Sequence, residues 1–166
     1  MKGDAIRYGL RGLIAGAAGT IALDMTTYGD MLVRGRPASN VPATLAGKLA
    51  DVAGIDMLGS RRTDQYAGSR REAAGSLMGY GTGLVIGGLY GLAQGDRAGT
   101  RNLLMGTVVG LLAMAASDLP IALTGVSNPR EWSLVDWASD LVPHVIYGMV
   151  VVETYEAIGR STVRST

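Results

Sequence analysis

The chain contains no cysteine and no phenylalanine, and its single histidine is His144. Without cysteine there is no disulfide, no thiolate metal site and no cysteine nucleophile. One histidine is too little on which to build a hydrolytic triad, and Ser117 and Ser139 lack the flanking glycines of a nucleophile elbow. Walker and dinucleotide fingerprints are missing too. Neither sign of charge dominates. Fifteen Lys and Arg stand against 14 Asp and Glu, and a net charge of +1 argues against the basic stripe of a nucleic-acid binder. Scarce lysine beside abundant arginine, alanine and glycine reads as the coding bias of a GC-rich genome, with no function implied. The expectation is a non-enzymatic protein without a cofactor.

What the chain does have is glycine, 25 of 166 residues, in a composition that is 48% hydrophobic. Gly75, Gly79, Gly83, Gly87 and Gly91 recur every four residues inside the uncharged run from Ala73 to Ala93. A run of about twenty such residues crosses a bilayer as a helix. A four-residue step returns to nearly the same helical face, so one side of this helix is bare backbone. Bare backbone in lipid is a packing surface, because two helices can approach closely there. That surface serves either the bundle interior or a second copy in a homo-oligomer.

Four apolar segments are expected to span the membrane, over about 8–33, 73–93, 102–126 and 134–158. Tyr8, Tyr28, Tyr90, Trp132, Trp137 and Tyr155 lie near their ends, where aromatic belts form. The first segment is a poor signal peptide, since it runs into Asp24 with no small-residue cleavage site. With four spans both termini share a side. Lys2, Arg7, Arg11, Arg97, Arg101, Arg160 and Arg164 lie on that side, and Arg34, Arg36, Lys48, Arg61, Arg62, Arg70, Arg71 and Arg130 on the other. That balance does not orient the chain; the short tails favour termini inside.

The long first loop holds a further helical pattern over about 41–55. Val41, Leu45, Leu49 and Val52 share a stripe, and Pro42 suits a first turn. This is either an amphipathic helix in the membrane interface or a loop helix packed on the bundle. Arg61, Arg62, Arg70 and Arg71 follow, as lipid or partner contacts or as simple topogenic charge.

Gly12, Gly16 and Asp24 match Gly106, Gly110 and Asp118 in spacing, as in a duplicated two-helix hairpin. Asp24 and Asp118 each lie about sixteen residues into their spans, and Asp140 lies early in a span that runs the opposite way. All three fall toward the long-loop side, with His144 one turn beyond Asp140 on the same face. Carboxylates in hydrocarbon are costly and face the bundle interior. Asp24, Asp118, Asp140 and His144 are therefore expected to form one buried polar cluster. Asp140 and His144 are the candidate metal ligands, completed by Asp24 or Asp118, but the donor set singles out no metal. Ala116-Ser-Asp-Leu-Pro120 and Ala138-Ser-Asp-Leu-Val-Pro143 are near copies. Either the aspartates cap helices that restart at the prolines, or they mark a discontinuous-helix binding site.

The stretch Ser117-Asp-Leu-Pro-Ile-Ala-Leu-Thr-Gly125, then Trp132, then Ser139-Asp-Leu-Val-Pro-His-Val-Ile-Tyr147, resembles the C-terminal half of the YagU-like inner-membrane proteins. The opening Gly12-Leu-Ile-Ala-Gly16 is also similar. The resemblance covers about a third of the chain; the middle and the glycine ladder depart from it. It implies a multi-pass protein of the bacterial inner membrane, with Asp140 and His144 as the positions to test first. The fold expected overall is all-α, a four-transmembrane-helix bundle with a short amphipathic interfacial helix in the first loop, forming one domain over 1–166. Three functions remain open. One is a structural or proton-relaying polar cluster, a second a small cation or proton transporter or channel subunit, a third a membrane assembly factor acting through the basic loop.

Overall fold

The computed structural model describes residues 2–97 and 103–163. Asn102, at the start of the expected third span, and Arg101 and Arg164 of the charge balance lie outside the described residues. The protein is all-α: five helices and no strand occur among the described residues. They are α1 (Lys2–Arg34), α2 (Val41–Ala53), α3 (Ala67–Gln94), α4 (Leu103–Leu123) and α5 (Leu134–Val163), with a 3-10 turn at Pro129–Glu131 before α5. α1 and α3 end on Gly35 (φ +65°) and Gly95 (φ +59°), whose N–H groups close the last turns on the Met31 and Gly91 carbonyls and whose positive φ turns the chain off the helix.

Among the described residues two helices are long and apolar enough to cross a membrane, Leu103–Leu123 and Leu134–Arg160. α1 and α3 have the length but are less apolar, α1 through its charges and α3 through its glycines. The four long helices form a ring in which α1 packs on α3 and α5, and α4 packs on α5 and lightly on α3.

The packing inverts that of a water-soluble bundle. The centre is made of Ala15, Val109, Ala113, Tyr147, Val151, Val152 and Tyr155, with Tyr90 beside them. The large aliphatics point outward on every long helix. Ile14, Ile21 and Met25 are exposed on α1, Leu77, Val85 and Leu89 on α3, Leu104, Leu112 and Leu119 on α4, and Leu134, Val135 and Val142 on α5. Exposed apolar side chains thus occur on all four long helices.

Glycine makes the helix contacts. On α1, a Cβ at Gly12 or Gly16 would collide with the carbonyl of Gly87 or Gly83 on α3. On α4, a Cβ at Gly110 would strike the His144 carbonyl, and on α5 one at Gly148 would strike Gly106 and Gly110. Both hairpins, α1–α3 and α4–α5, therefore cross at the matched G-xxx-G pairs, as the duplicated spacing suggests. The ladder on α3 is spent inside the chain. Gly75 meets Pro42 of α2, Gly83 meets Thr20 and Tyr147, and Gly87 and Gly91 meet α1; only Gly79 faces open space.

Three expectations need correction. Tyr90 and Tyr155 are core residues rather than belt residues. α4 and α5 run unbroken through Pro120 and Pro143, so neither Asp118 nor Asp140 caps a restarted helix and neither helix is discontinuous. The bundle holds the helix on both sides of each proline, and the lost backbone bond is tolerated. Finally, α2 ends at Ala53 on Gly54 (φ +69°) and buries Leu45, Ala46, Gly47 and Ala50, whereas Val52 and Leu49 are exposed. Of the expected stripe Leu45 alone is buried, together with the small residues that face α3, while Leu49 and Val52 are left outside.

Candidate functional site

The polar residues of the spans divide by hairpin. On α5, Asp140 and His144 stand one turn apart, with His144 Nδ1 2.8 Å from the Asp140 carbonyl and 3.3 Å from Asp140 Oδ1. Both oxygens accept, so Nδ1 carries the hydrogen in this geometry. Asp118 of α4 sets its carboxyl beside that of Asp140. Asp140 Oδ2 is buried and has no hydrogen-bond partner. Two ionised carboxylates only accept, whereas a proton on Asp118 would supply the missing donor. The three side chains thus form a chain of acid, acid and imidazole between α4 and α5.

Asp24 is not part of it. It accepts a hydrogen bond from the Tyr80 hydroxyl of α3 at 2.9 Å, in a half-exposed position. The expected four-residue cluster is therefore a three-residue cluster and a separate Asp24–Tyr80 pair. The reason is the pairing of the helices. Each aspartate lies two turns beyond its G-xxx-G and faces its own hairpin partner, Asp24 toward α3 and Asp118 toward α5. Among the described residues no group of three His, Cys, Asp or Glu is arranged to hold a metal ion, so Asp140 and His144 gain no third ligand.

The cluster is closed toward the termini. Immediately beyond His144 comes the backbone contact of Gly110 with Gly148, then Val109, Val151 and Val152. The hydroxyls further along the interior are committed to backbone carbonyls. Thr20 bonds Gly16, Tyr147 bonds Gly83 at 2.6 Å, and Tyr155 bonds Gly91 at 3.0 Å and Gly95 at 2.9 Å. Tyr147 was not singled out in the sequence and Tyr155 was read only as a belt residue, yet a signal existed. Tyr147 and Tyr155 are eight apart, as are Gly83 and Gly91, and bare glycine backbone offers its carbonyls to a hydroxyl. Arg11 was also missed. Its Nε donates to the Tyr155 carbonyl, and its guanidinium stacks 3.7 Å from the Tyr155 ring, across Gly159.

Of the four loop arginines read as lipid or partner contacts or as topogenic charge, three make contacts within the loop. Arg62 and Arg70 pair with Asp64, and Arg71 donates to the carbonyls of Gly59 and Arg62. The Arg62 guanidinium and the Tyr66 N–H hold the Asp64 carboxyl below the ordinary carboxylate range. Of the four, Arg61 alone is left outward and without such a contact among the described residues. At the opposite end Arg7 and Tyr8 both donate to Asp96 at 2.5 Å, tying the start of α1 to the end of α3.

No family model, curated protein or solved structure matches this chain.

Proposed function

We propose that this chain is an integral protein of the bacterial inner membrane whose four long helices all cross the bilayer, and that Asp118, Asp140 and His144 act as a proton-holding link between α4 and α5. One observation carries the membrane reading: large aliphatics face outward on all four helices around a centre of glycine, alanine, valine and tyrosine. In water that surface would aggregate; in lipid it is the solvated side, and small residues at the helix contacts are what lipid-embedded packing requires. The likeness to the YagU-like proteins points the same way. The reading is non-enzymatic: the cluster is assigned a structural and proton-holding role.

The absence of native cysteine makes the test clean. Single cysteines at Ile14, Val85, Leu112 and Val142, one per long helix, should resist a hydrophilic maleimide in liposomes and react once the protein is denatured. Rapid labelling of α1 and α3 in intact liposomes would reduce the protein to a two-span one. Flotation with the soluble fraction would remove it from the membrane altogether.

For the cluster, a structural link is favoured over a conduit by the apolar seal beyond His144. Asp140→Asn and His144→Gln should each lower stability in detergent by about 1–3 kcal/mol, the cost of disturbing a buried polar contact. Thermal unfolding followed by circular dichroism reads this directly. The orphaned Oδ2 of Asp140 favours one second reading, a proton or cation site in a transporter. In that case a stable Asp140→Asn variant would lose a pH-driven flux that wild-type liposomes display.

A further inference from the structure

A cavity of about 350 Å3 opens on the outside of the bundle between α1 and α5, on the long-loop side. Its walls are apolar: Leu134, Val135 and Val142 are exposed, and the ring of Pro143 is buried behind them. Its end is not. Arg34 donates through Nη2 to both Asp30 and Ser139 at 2.5 Å, and Arg36 donates to the same Asp30 oxygen at 2.5 Å. Two guanidiniums thus share one carboxylate. Asp136, the other acid near Arg34, is taken up by the Ser133 N–H and hydroxyl. Arg34 makes these contacts with one nitrogen of its fork, so the rest of that planar donor set is available to an oxyanion.

We infer that this groove holds one phospholipid, its acyl chain lying between α1 and α5 and its phosphate on Arg34 and Arg36. The inference rests on the membrane reading above. It goes beyond that reading by assigning a ligand. The arrangement suits a phospholipid at the bilayer edge. Val142 and Pro143 lie on the bundle-centre side of the Arg34–Ser139 contact, Leu134 and Val135 lie on its outer side, and the arginines stand where α1 ends and α5 begins, at headgroup level. Guanidinium forks suit phosphate because two parallel N–H groups meet two oxygens. An isolated soluble anion would use the arginines but leave the apolar walls empty.

The probe is dioleoyl phosphatidylglycerol added to the detergent-purified chain, with native mass spectrometry as readout. Wild type should keep one lipid per chain at collision energies that strip the rest. Ala138→Trp, placed on an exposed wall position, should fill the groove and cut that occupancy at least tenfold while the circular dichroism melt stays unchanged. The double variant Arg34→Gln, Arg36→Gln should lower it as well. A wild type that enters liposomes yet retains no lipid overturns the groove and leaves the membrane reading standing. Equal retention by Ala138→Trp also overturns it. A chain that stays in water fails the membrane reading itself.

Discussion

Gly87→Val should unfold the bundle, while Gly79→Ala should leave it intact or slightly firmer. The two glycines sit two turns apart on the same ladder and look alike in sequence. A Cβ at Gly87 would lie 2.5 Å from Gly16 Cα and 2.6 Å from the Gly12 carbonyl. Those atoms are backbone, so no rotamer change relieves the clash. α1 and α3 would have to separate, and with them would go the dispersion contacts that hold helices together in lipid. Overpacking costs about 1–3 kcal/mol and occasionally more; here the obstruction is a whole helix, which places the cost at or above that range. Gly79 meets nothing within 4 Å, so alanine there gains only the usual helical preference of about 0.5–1 kcal/mol. Thermal melts of both variants in the same detergent decide the matter. If Gly87→Val melts with wild type, the close α1–α3 crossing is wrong.

Tyr155→Ala should be comparably severe, and Tyr155→Phe mild. The Tyr155 side chain is fully buried, its ring meets Tyr90 edge-on with centroids 5.3 Å apart, and Arg11 stacks on its other side. Emptying such a site costs about 3–5 kcal/mol for a large aromatic. Removing the hydroxyl alone deletes its bonds to the Gly91 and Gly95 carbonyls. Interhelical hydrogen bonds in membranes average about 0.6 kcal/mol, so phenylalanine should keep most of the stability. Unfolding titrations in mixed micelles give both values. A large loss in Tyr155→Phe would mean that the hydroxyl, not the ring, anchors α5 to α3.

The helices were legible in the sequence because apolar length and charge-free runs are local properties. The spans expected over 73–93 and 134–158 fall inside α3 and α5, and the expected loop helix appears as α2. The packing face at Gly83, Gly87 and Gly91 was legible for the same reason: spacing alone puts glycines on one face. What spacing does not give is the partner. Asp24 and Asp118 share a register and a depth, yet one meets a tyrosine and the other a carboxyl, because α3 and α5 present different residues there. The prolines misled because a local breaker is weighed without the neighbours that hold the helix around it. The loop contacts of Arg62, Arg70 and Arg71 were not legible because Asp64 and the carbonyls of Gly59 and Arg62 lie in an irregular loop with no periodicity to read.

The tyrosine contacts between α5 and α3 have a mechanical corollary. Tyr147 to Gly83 and Tyr155 to Gly91 both span 64 positions, so the two helices run in the same direction with a constant offset. The acceptors repeat every turn, at Gly83, Gly87, Gly91 and Gly95, and Tyr155 already straddles two of them. A shift of α5 along α3 by one turn, about 5.4 Å, would bring the hydroxyls to an equivalent set of carbonyls. The tyrosine contacts alone therefore leave α5 free to step by one turn. The register in use is set by other contacts of α5, where Gly148 is wedged against Gly106 and Gly110 and Arg11 stacks on Tyr155.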